Sequence, residues 1–135
     1  LQTAEHIQAE SVEADDRVGI VQEYLDKTLP GNWDALPLGM RRIWLDGETL
    51  PDQYRVSGLA DNYYTRTSVS KIEIWAECFG RNPEDMRKID SHEITAIMRQ
   101  IDGWEDSGQR VKLPIYGQQR VFKRAESRSN VLQVG

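Results

Sequence analysis

Apolar positions recur along the chain at two different periods, and the change from one to the other divides it. From Asp16 onward Val18, Val21 and Leu25 stand at i, i+3 and i+7 with Ile20 and Tyr24 beside them, which predicts a helix with one apolar stripe. Asp15 or Asp16 caps it and Pro30–Gly31 stops it. Asn32 to Gly47 reads as a second, shorter helix, with Pro37 in its first turn, Met40, Ile43 and Trp44 as its stripe, and Gly47 just past its end. Residues 48–66 hold no period and read as a long loop, compatible with a short strand near Tyr63–Arg66. Ser68 then caps a predicted helix to Phe79 that faces inward through Ile72, Trp75, Ala76 and Phe79 and closes at Gly80. Asn82 to Met86 forms a short helical turn. Asp90 and Glu93 have capping-box spacing for a helix through Ile101, with Ile94, Ile97, Met98 and Ile101 as its core face. After Trp104 the period becomes two. Val111, Leu113 and Ile115 alternate, Tyr116 to Gln119 turns, and Arg120 to Arg124 returns, a β-hairpin in which Pro114 marks an edge or a position without a ladder bond.

This order predicts a mainly α protein with a small β-hairpin, class α+β: a winged helix-turn-helix-like unit over 67–124, preceded by two helices. Residues 15–66 form the N-terminal helical segment with its loop, 1–14 a linker or the end of an upstream helix, and 125–135 a flexible tail. The first residue, Leu1, reads as the mark of a segment cut from a longer protein. With 135 residues, 39% of them hydrophobic, and four Trp, five Tyr and two Phe, there is material for one modest core. No apolar run nears the ~20 residues of a membrane span. A lone cysteine, Cys78, excludes an intrachain disulfide and a CxxC zinc knuckle. A soluble, cytoplasmic protein with no membrane partner is expected.

Charge and motifs narrow the chemistry further. The net charge is −5, yet residues 108–128 carry six basic side chains against one acidic. No G-x-x-x-x-G-K-[ST] or G-x-G-x-x-G loop is present, and His6 and His92 fit no H-E-x-x-H pattern. His92–Glu93 reads as a helix start, and Cys78 as a small residue of a core boundary. The expectation is a non-catalytic domain without cofactor or metal. What remains is the order helix, connector, capped helix, basic hairpin. In a winged helix-turn-helix the last helix enters the DNA major groove and the wing reaches the backbone or minor groove. Thr95, Arg99 and Gln100 would read the groove, and Arg110, Lys112, Arg120, Lys123 and Arg124 would hold phosphates.

The stretches IEIWAECFGRNPEDM, ITAIMRQIDGWED and LPIYGQQRVFKR, and more weakly EYLDKTLPGNWDALPLGMRRIWLDG, resemble the C-terminal end of the virulence-associated protein E family. These are primase–helicase-like proteins of phages and mobile elements, and the resemblance covers roughly two thirds of the chain. It implies an accessory domain behind an upstream ATPase/helicase domain of the same parent protein, whose own motif residues have no counterpart here. Two readings result: a DNA-binding accessory domain, or a protein-interaction module docking on that ATPase or a replication partner. The acidic net charge favours the second, the basic segment the first.

Overall fold

A computed structural model describes residues 16–55 and 63–125. The expected linker 1–14, the middle of loop 48–66 and the tail beyond Ala125 lie outside them. Helix α1 covers residues 16–25 of the described chain. There follow β1 (Thr28–Pro30), α2 (Leu38–Leu45), β2 (Tyr63–Thr65), β3 (Ser68–Ser70), α3 (Lys71–Glu73, continuing as a π-helical turn over Ile74–Cys78), α4 (Lys88–Arg99), β4 (Trp104–Leu113) and β5 (Gly117–Arg124). Strands β1 and β2 pair with each other, and the second sheet has the antiparallel order β3-β5-β4. The class is α+β, as the two periods implied.

The hairpin is longer than expected. It begins at Trp104, which pairs with Arg124, and its two residues Ser107 and Gly108 bulge out of register between Asp106 and Gln109. Gly108 takes φ +72°, which a glycine adopts without cost. The turn is Pro114–Tyr116 rather than Tyr116–Gln119, so Pro114 needs no ladder bond. Toward that turn the alternation does not signal a core: Val111 and Ile115 are exposed.

The helix expected from Ser68 starts two residues later. Ser68–Ser70 is instead a strand, with Val69 opposite Phe122. Ser70 is the cap: its hydroxyl accepts from Glu73 N at 3.3 Å while the Glu73 carboxylate accepts from Ser70 N at 2.7 Å. Beyond Glu73 the helix widens, and Phe79 N donates to Ile74 O five residues back at 3.0 Å. That wider turn rotates the buried face onto Ile72, Ile74 and Ala76 and leaves Trp75 half-buried, correcting the stripe read at 3.6 residues per turn. Arg42 of α2 donates to Ala76 O at 3.0 Å and Arg81 O at 2.8 Å, occupying carbonyls at the widened end.

Helix α4 also starts earlier than expected, at Lys88 rather than Ser91. Asp90, not Glu93, closes its first turn by accepting from Arg87 N at 2.9 Å and Arg87 Nε at 3.1 Å. Its inward face is the expected one, with Ile94, Ile97 and Met98 buried and Ile101 just beyond. These four pack with Val21, Tyr24 and Leu25 of α1, Ile74 of α3, and Val69, Trp104 and Phe122 of the sheet. A second, smaller cluster holds Leu29, Trp33, Leu36 and Leu50.

The rotated face makes a testable ordering. Ile74→Ala removes a fully buried side chain and should cost ~2–5 kcal/mol in urea-unfolding stability. Trp75→Ala should cost less than that, because the ring is half solvated and its Nε1 bonds only the Asn82 carbonyl. The reverse order would restore the regular-helix stripe.

Candidate nucleic-acid interface

Residues directly opposite in an antiparallel ladder share a face of the sheet. Arg110 stands opposite Arg120 and Lys112 opposite Gln118, so the hairpin carries three cations on one face. All three are exposed. Arg120 grips Asp106 with two bonds of 3.0 Å, Nε to Oδ1 and Nη2 to Oδ2. That grip and the Gly108 N–H hold the Asp106 carboxyl below its ordinary range. Arg110 and Lys112 form no ion pair with the described residues.

The other two basic residues of β5 are placed differently. Lys123 is exposed on the opposite face, across from Glu105. Arg124 is spent internally. Its guanidinium donates to Arg66 O at 3.1 Å and Leu25 O at 3.0 Å, bridges Asp26 at 3.3 Å, and lies 4.6 Å from the centre of the Trp104 ring. On α4, Arg99 and Gln100 are exposed at the C-terminal end, whereas the half-buried Thr95 bonds back to Ser91 O at 3.1 Å. Gln100 reaches Ala96 O at 3.4 Å. The structure therefore groups Arg110, Lys112 and Arg120, keeps Arg99 and Gln100 open on the helix, and separates Lys123 and Arg124 from them.

Between the two apolar clusters lies a set of charges that sequence reasoning missed. Glu77 is buried, and its Oε2 receives Arg41 Nη1 at 2.8 Å and the Tyr116 hydroxyl at 2.7 Å, while its Oε1 receives the Tyr24 hydroxyl at 2.7 Å. Arg66 sits 3.7 Å from both Glu73 Oε2 and Glu77 Oε1, inside Coulombic reach but too long for hydrogen bonds. It stacks over Tyr24 at 4.4 Å. Burial raises the Glu73 carboxyl above its ordinary range, against the pull of Arg66. The signal for this cluster was faint: Glu73 and Glu77 lie one helical turn apart inside an apolar stretch. Nothing local announced Arg41 or Arg66 as their partners.

Beside this cluster opens a cleft of about 290 Å³, walled by Leu29, Trp33, Tyr64, Arg66 and Val111 among others. Trp33 Nε1 and Arg66 Nε are buried there without a hydrogen-bond partner among the described residues. Elsewhere, the Cys78 thiol is pushed up to about 12, chiefly by burial, and so stays protonated at neutral pH. Among the described residues no three His, Cys, Asp or Glu side chains gather as metal ligands, and no helix is long and apolar enough to cross a membrane.

Glu77→Ala leaves two buried guanidinium groups without their carboxylate and should destabilise the fold by ~3–5 kcal/mol. A loss under ~1 kcal/mol in urea unfolding would mean the cluster is dispensable. The cluster also sets an alkaline limit. Burial above all holds the Tyr24 phenol well above its ordinary value, despite Arg66, while in the unfolded chain it ionises near ~10. The folded state then keeps a proton that the unfolded state releases. Stability from this group is full below pH ~10 and falls above it by ~1.4 kcal/mol per pH unit. Tyr24→Phe should flatten that limb, and equal alkaline slopes for the two proteins would remove Tyr24 from the linkage.

No protein-family model matches the chain and no curated protein matches it, so its function has to be argued from these residues.

Proposed function

We propose that this chain is a non-catalytic nucleic-acid-binding domain of winged-helix type, using α4 and the β4–β5 hairpin. The observation that carries the reading is the register of the hairpin. Arg110 directly opposite Arg120 is a like-charge cross-strand pair, which by itself destabilises a sheet. Asp106 offsets one of the two charges; a phosphate backbone would offset the other and Lys112 with it. Strand β3 supports the same reading. The succession α1, β3, α3, α4, β4, β5, with β3 pairing to the return strand β5, is the winged-helix order, interrupted between α1 and β3 by residues 26–67. The resemblance to the virulence-associated protein E family adds the context of a DNA-replication protein with an upstream ATPase.

The structure narrows the proposed contacts. Arg110, Lys112 and Arg120 take phosphates, and Arg99 and Gln100 are available to base edges. Arg124 holds the fold together and is left out. Thr95 has its hydroxyl engaged, and Lys123 lies across the sheet. The acidic remainder, net −5 for the whole chain, repels phosphate at long range, so binding is weak and strongly salt-dependent.

Fluorescence anisotropy of a labelled duplex against salt concentration tests this. Each phosphate-neutralising residue contributes ~0.9 to the log–log salt slope. The Arg110→Gln/Lys112→Gln variant should flatten the slope by up to ~1.8 and weaken all sequences alike. Lys123→Gln should change it little. Absence of any anisotropy change at low salt would discard the nucleic-acid reading in favour of docking on a protein partner.

A further inference from the structure

We infer that the cleft between Trp33, Tyr64 and the hairpin tip takes one unpaired base of a single-stranded nucleic acid. The inference rests on the nucleic-acid reading above and goes beyond it, since neither α4 nor the cation strip reaches into this cleft.

The walls define the ligand by chemistry. Leu29, Val111 and Tyr64 give apolar and aromatic surface, and Tyr64 is 41% exposed, leaving ring area free. Trp33 is 2% and Arg66 4% exposed, and each presents a donor, Trp33 Nε1 and Arg66 Nε, with no partner among the described residues. Such donors call for a ligand that brings acceptors. A phosphate or carboxylate would bring acceptors, but Asp34 and Glu73 stand in the same walls. Arg66 is already neutralised by Glu73 and Glu77. A neutral ring edge that offers carbonyl acceptors and ring N–H donors suits donors and carboxylates together, as a base does. The size agrees: about 290 Å³ lies below the range of drug-sized sites and holds one ring system.

Position links the cleft to the strip. Lys112 belongs both to the cation-bearing face of the hairpin and to the rim of the cleft. A strand whose phosphates meet Lys112 and Arg110 can therefore turn a base inward over Tyr64, the arrangement by which single strands bind through charge outside and stacking inside.

Two oligomers of equal length and charge separate the parts: a twelve-nucleotide oligothymidylate and its fully abasic counterpart, titrated against the 135-residue chain. The base-bearing oligomer should bind about tenfold more tightly, the scale of one stacked base, with the same salt slope. Tyr64→Ala should erase most of that preference and leave abasic binding unchanged. In nitrogen–proton spectra of the unmutated protein the Trp33 indole signal should shift with oligothymidylate and not with the abasic strand; Trp33→Phe, which keeps a ring and removes the N–H, identifies the signal and should lower the preference. Equal binding of both oligomers, still dependent on Arg110 and Lys112, would overturn the cleft and leave the phosphate strip standing. A preference that survives both substitutions would place the base elsewhere and also overturn it. Failure of both oligomers to bind at low salt would remove the nucleic-acid reading and this inference together.

Discussion

The Glu77 carboxylate is the point on which this fold turns. It has no solvent, and three donors from three separate parts of the chain close on it: the Tyr24 hydroxyl from α1, Arg41 from α2 and the Tyr116 hydroxyl from the hairpin turn. Burying a carboxylate costs several kcal/mol unless it is both paired and hydrogen-bonded, so the three elements are obliged to arrive together. Hydrophobic contact is tolerant of small shifts, whereas charge-assisted hydrogen bonds of 2.7–2.8 Å are not. The network therefore fixes where the second apolar cluster sits against the first and where the hairpin turn points.

The π-helical turn belongs to the same constraint. A regular helix continuing from Ser70 would have turned Trp75 inward. The wider turn brings both Ile74 and Glu77 to the buried side, one into the apolar core and the other into the charge cluster. Arg42 then caps the carbonyl that the widened helix leaves at Ala76. Local helix geometry has yielded to the requirement that Glu77 meet Arg41.

These internal demands divide the arginines into two populations. Arg41, Arg66 and Arg124 are engaged by carboxylates, carbonyls and aromatic rings and serve the interior. Arg99, Arg110 and Arg120 remain on the surface together with Lys112. Composition counts all of them equally, and a sum over residues 108–128 overstates the cation density available to a polyanion. The cleft under the hairpin arises where the two populations meet, with Arg66 on its inner wall and Lys112 at its rim.

The sequence by itself determined the elements whose signals are local. The stripe of α4 and that of α1 were legible because each buries a continuous apolar face against one core, and period alone reports that. The hairpin was legible from its alternation, as was the absence of phosphate-binding loops. Tertiary structure decided whatever depended on partners distant in the chain. Strand β3 is three residues long and exists because Val69 meets Phe122 of β5, a pairing no local window contains. Tertiary structure also decided that Ser70 rather than Ser68 begins α3, that Trp75 gives way to Ile74, and that Arg124 faces Leu25 and Asp26, nearly a hundred residues earlier. Of the candidate site, the sequence supplied the basic residue types and their clustering. Which of them share a face was set by the ladder register and the bulge at Ser107–Gly108, because one residue of offset exchanges the two faces of a strand.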